Sequence, residues 1–98
     1  MTIETFEASF AQGKPPADSS IYLQALWYDA NNNWEQAHSL IQDLKTNTIA
    51  AWIHAYLHRK EGDTWNADYW YRRAERKRPA CTLAEEWKTI VDFCLTGE

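Results

Sequence analysis

Apolar residues recur at helical spacing along most of the chain, and the interruptions are glycine, proline or asparagine. Ile3, Phe6 and Phe10 form a stripe over residues 3 to 12, with Thr2 as the N-cap and Gly13 as the stop. Lys14 to Ala17 contains Pro15 and Pro16 and reads as a linker. Asp18 to Ser20 supplies capping chemistry for a helix over about 20–30, whose apolar face is Leu23, Leu26, Trp27 and Ala30. Asn31 to Asn33 reads as a turn, and Asn33 with Gln36 as a capping box for a helix reaching Lys45. After a short connection at 46–48, a helix over about 49–61 ends at Gly62. Asp63 then caps a helix over 64 to about 77, and Pro79 cannot continue it. Thr82 and Glu85 form a capping box that opens the last helix, with Leu83, Trp87, Ile90, Val91, Cys94 and Leu95 on one face. No stretch shows strand alternation. The pattern predicts an all-α fold of about six helices whose short turns make neighbours antiparallel.

The middle of the chain repeats. Displaced by one hairpin length, Ala25 falls on Ala55, Tyr28 on His58, Ala37 on Ala67, Ile41 on Tyr71 and Leu44 on Ala74. The turn Asn32-Asn33 falls on Gly62-Asp63. Small residues at matched positions let two helices approach, and large ones a turn away fill the gap between them. Ala67-x3-Tyr71 followed by Pro79, and Ala37-x3-Ile41, resemble the tetratricopeptide repeat. Ala67-x-x-Trp70-Tyr71-x-Arg73-Ala74 is similar to its Sel1-like variant, without most of that variant's glycines. The repeat is about one helical turn shorter than the usual ~34 residues, and His54-Ala55 stands where the first helix ordinarily has leucine-glycine. The run from His54 to Ala74 also resembles a group of short bacterial proteins, from which no activity carries over. The resemblance implies one domain over 1–98. Residues 1–17 would be an N-terminal helix and linker, 18–79 two helical hairpins, and 80–98 a C-terminal capping helix.

Composition narrows the classes of function. Six tryptophans and five tyrosines in 98 residues serve equally as core and as contact residues. A net charge of −4 argues against a general nucleic-acid or acidic-membrane binder. No apolar run reaches membrane-spanning length, and the N-terminus has no export signal, so the expected compartment is cytoplasmic. There Cys81 and Cys94 stay reduced. Cys94, on an apolar stripe, reads as buried, and Cys81, in a loop, as the more exposed thiol.

In tetratricopeptide-like proteins the first helix of each repeat lines a groove. The resemblance therefore places Tyr22, Leu26 and Asp29 from the first repeat, and Trp52, Tyr56, Arg59 and Lys60 from the second, on a surface for a protein or peptide partner. That partner can be a second copy of the chain. The opposing reading has Trp52 and Tyr56 packed against the terminal helices. A different class of function rests on His54 and His58, one turn apart, with Glu61 beyond them. Two such histidines and a carboxylate can hold a small molecule or a divalent metal, although the HExxH arrangement is absent. His38 joins them only if its helix faces theirs; the competing role for His58 is hydrogen-bonded packing. Arg72, Arg73, Arg76, Lys77 and Arg78, interleaved with Trp70 and Tyr71, suit either a solvated helix end or an RNA patch. No catalytic constellation is readable, and no motif implies an organic cofactor.

Overall fold

Helix boundaries follow the side chains that satisfy the otherwise unbonded amides of each first turn. The computed structural model describes residues 1–96. It contains α1 (Ile3–Ala8), continued by a 3₁₀ turn (Ser9–Gln12), then α2 (Ile21–Ala30), α3 (Trp34–Ile41), α4 (Thr48–Lys60), α5 (Thr64–Arg73) and α6 (Leu83–Thr96). Thr2, Ser20, Asn33 and Asp63 accept from the third amide beyond them, as their positions predict. Thr82 and Glu85 bond reciprocally at 2.9 and 3.0 Å. The regular elements among the described residues are all helices, without strands, and no helix is long and apolar enough to cross a membrane.

Three boundaries differ from the sequence expectation. The first helix tightens after Ala8, where the Ser9 hydroxyl donates to the Phe6 carbonyl and accepts from Trp27 Nε1 at 3.0 Å. The third stops at Ile41 rather than reaching Lys45. Asn47 takes the amides of Ile49 and Ala50 and starts α4 afresh. The fifth stops at Arg73, because Glu75 adopts φ +62° and the Arg76 amide turns back to the Tyr71 carbonyl at 2.9 Å. Arg76, Lys77 and Arg78 therefore sit in the connection to α6.

The two hairpin turns match in detail. Asn32 at φ +67° and Gly62 at φ +88° take the left-handed position. The following amides, Asn33 and Asp63, bond back to the carbonyls of Tyr28 and His58 at 2.8 and 2.9 Å. Each turn folds α2 onto α3 and α4 onto α5. Alanines 25, 37, 55 and 67 are fully buried at these crossings, where a larger side chain would hold the helices apart.

α4 is the axis of the molecule. Every residue from Ala50 to Leu57 is buried, since α2, α3, α5 and α6 all pack on it. α6 lies against α2 and α4 and is anchored by Trp87, whose indole donates to the Leu26 carbonyl at 3.0 Å. Phe6 and Phe10 close around Trp87 at ring separations of 6.1 and 6.3 Å, which ties the N-terminal helix to the same core.

Candidate metal centre

The facing sides of α3 and α4 bring all three histidines together. Asn33 sets the start of α3, so Trp34 and His38 fall one turn apart on the side turned to α4. His54 and His58 are one turn apart on α4. His38 Nε2 lies 3.0 Å from His54 Nε2. The His54 and His58 rings stack at 4.9 Å, and His38 stands edge-on to both, at 4.7 and 5.4 Å. One nitrogen from each of the three lies within 4.8 Å of the other two. Two indoles hold the rings in place. Trp34 stacks on His38 at 4.8 Å while donating to the Leu57 carbonyl, and Trp70 of α5 stacks on His54 at 4.0 Å.

Electrostatics keeps this cluster ready to donate lone pairs. Burial, then the neighbouring His38, His58 and Lys45, lowers the His54 pKa to about 3. Burial and His58 lower that of His38, against the opposing pull of Glu61. Both imidazoles are therefore neutral near pH 7, the form that ligates a metal. Two neutral rings whose Nε2 atoms touch must share one hydrogen between them, since two lone pairs would repel. His58 Nδ1 lies 2.7 Å from Glu61 Oε2. A carboxylate only accepts, so Nδ1 carries a hydrogen and Nε2 is the nitrogen left to ligate.

The spacing suits a transition metal. Ligands at about 2.1 Å in cis positions of a square or octahedral ion lie about 3.0 Å apart, and tetrahedral ones about 3.4 Å. The His38–His54 separation already matches the first value, and a nitrogen of His58 lies within 4.8 Å of both.

Glu61, expected among the ligands, is placed differently. It is 39% exposed and engages His58 from the side, so it orients a ligand rather than joining the set. Asp63 approaches His58 and Glu61 as well, but its carboxylate caps α5 through the Asn66 amide and side chain. His38 brings the third imidazole nitrogen to His54 and His58. The Trp34–His38 spacing puts both rings on one face of α3, and the packing of one hairpin on the next turns that face to α4.

The residues expected to line an open groove are already engaged. Trp52, 5% exposed, donates to Glu86 of α6 at 3.2 Å, and Tyr56, 2% exposed, donates to Asp29 at 3.1 Å. Lys60 pairs with the other Asp29 oxygen at 3.0 Å, and Arg59 pairs with Glu86 at 2.7 Å and also reaches the Cys81 carbonyl. Leu26 is fully buried, and the Tyr22 hydroxyl accepts from Asn47 at 2.5 Å. The groove expectation is corrected accordingly: α6 covers α2 and α4 because its Glu86 and Trp87 match the polar and apolar groups there.

The basic cluster is dispersed as well. Tyr71 is buried with its hydroxyl on Glu86, and Trp70 is stacked on His54, so neither ring is presented to a base. Arg78 pairs with Asp68 at 2.8 Å, and Arg73 donates to the Lys45 carbonyl at 2.9 Å. Cys94 is buried and Cys81 half-buried. Comparison with known protein families, curated proteins and solved structures gave no match.

Proposed function

We propose that the protein binds one divalent transition metal ion through His38, His54 and His58. The observation that carries this reading is the 3.0 Å approach of His38 Nε2 to His54 Nε2 across two helices, with His58 alongside. Three imidazole nitrogens favour copper, nickel or zinc over magnesium or calcium, which take oxygen ligands. Glu61 holds His58 in its ligating tautomer, and Trp34 and Trp70 fix the ring planes. An ion here takes the place of the hydrogen between the two Nε2 atoms, and the donor ring carries that hydrogen on Nδ1 instead, so His38 and His54 bind it as neutral rings without net proton release. It also links the first hairpin to the second, since His38 belongs to α3 and the others to α4. An ion present at 100 times its Kd stabilises the fold by about 2.7 kcal/mol. For a chain of this size that raises Tm by roughly 10–20 °C. Thermal denaturation with and without micromolar copper, nickel or zinc tests the reading. A rise in wild type that disappears in His38→Gln supports it, and no rise with any of the three metals removes it.

We read the architecture as tetratricopeptide-like, supported by the matched turns and by alanines at equivalent crossings. In that reading α6 lies where a peptide ligand would lie. The aromatic and charged residues expected to capture a protein or peptide partner hold the chain's own last helix instead. A partner at that face would have to displace α6 from Arg59, Trp52 and Leu26.

A further inference from the structure

A cleft of about 420 Å³ opens between α4, α6 and the connection after α5, on the side of α4 away from the histidines. Trp52 and His54, two positions apart, point about 200° apart around the helix. Trp52, Arg76, Lys77, Pro79 and Thr89 line the cleft. The Arg76 guanidinium lies 3.5 Å from the Trp52 ring centre and 5.6 Å from that of Phe93. A second cavity, of about 330 Å³, shares Trp52, Glu75 and Arg76, so Arg76 is the partition between the two. A third, of about 270 Å³, continues from Arg76 and Lys77 to Arg72 and Arg78.

The carboxylates nearby do not neutralise these cations. Glu86 is held by Arg59, Tyr71 and Trp52, and Asp68 by Arg78. Glu75 is exposed, and among the described residues neither Arg76 nor Lys77 has a carboxylate within ion-pair distance. Stacking on Trp52 satisfies one face of the Arg76 guanidinium and holds it rigid, which leaves its N–H edge for an acceptor. The volume is that of a small-molecule site.

We propose that this cleft binds a small ligand in which a flat apolar ring is joined to one carboxylate or phosphate group. The anionic group takes the N–H edge of Arg76 and the Lys77 ammonium, and the ring packs against Pro79 and the edge of Trp52 that Arg76 leaves uncovered. Benzoate and adenosine monophosphate separate the carboxylate from the phosphate source, with inorganic phosphate and adenosine as the parts tested alone. The readout is the Trp52 indole N–H resonance, assigned by its loss in Trp52→Phe. At least one ring-bearing anion should move that resonance saturably, about tenfold or more tighter than phosphate or adenosine. Arg76→Gln should weaken binding by about tenfold or more, the factor that a lost charge-assisted hydrogen bond represents. Lys77→Gln reads the same loss if Arg76→Gln loosens the fold, and His38→Gln should leave the affinity unchanged. The proposal is overturned by no saturable shift with either ring-bearing anion at about 10 mM. Unchanged affinity in both cation variants, or a response at a different indole, overturns it equally.

Discussion

At the residue scale the histidines, the buried carboxylates and their partners decide what the molecule tolerates. His54 is neutral in the fold, with its pKa lowered to about 3, whereas in the unfolded chain it takes a proton near pH 6.5. Below pH 6.5 the unfolded state therefore binds more protons, and stability is lost as pH falls from about 6.5 towards 3. His54→Gln removes that contribution, so its Tm should fall less steeply than that of wild type across this window. A parallel slope would show that the histidine is not held neutral. Glu86, 2% exposed, accepts from Trp52, Arg59 and Tyr71, and losing it strands the half-buried Arg59 guanidinium together with the buried Trp52 and Tyr71 donors. Glu86→Ala should cost about 3–5 kcal/mol in denaturant unfolding. Glu61 acts on the metal only through His58, so Glu61→Gln should weaken metal binding about 10–100-fold while leaving the stoichiometry at one.

At the element scale, the caps and the two hairpin turns were legible, and the ends of α3 and α5 were not. Thr2, Ser20, Asn33, Asp63 and Thr82 each announce a helix start, because an N-cap acts on amides within three residues of itself. The ends of α3 and α5 depend on Asn47 and Glu75. Asn47 caps a helix whose first residues, Thr48 and Ile49, show no break in pattern. Glu75 adopts a left-handed backbone that its residue type does not advertise. At the repeated turn, Gly62 holds φ +88° with nothing within 4 Å of where a Cβ would stand. The cost of Gly62→Ala is thus conformational, about 1–2 kcal/mol. That is a drop in Tm of about 4–8 °C per kcal/mol. Asn32→Gly, at the equivalent turn, should be close to neutral. Equal losses at the two turns would contradict their equivalence.

At the scale of the whole molecule, α4 has different neighbours on its different sides. One side meets α2 and α6 and is closed by the Asp29 and Glu86 networks. Another meets α3 and α5, where the histidines gather between two indoles. From the sequence, the pairing of His54 with His58 was readable as a helical spacing. The entry of His38 was not, since it depends on how one hairpin packs on the next, which no local pattern encodes. The same limit explains the groove. The sequence marked Trp52, Tyr56 and Arg59 as contact residues, and only the path of α6 shows that the contact is made within the chain.

The central claim is that these three histidines bind one metal ion. Titration calorimetry of copper, nickel and zinc at pH 7.5, on wild type and His38→Gln, tests it most directly. One ion per chain is expected in wild type, with no proton released from His38 or His54, since both are already neutral. The account also predicts at least about 100-fold weaker binding in the variant. Binding of equal strength in His38→Gln, or none in wild type, would contradict it.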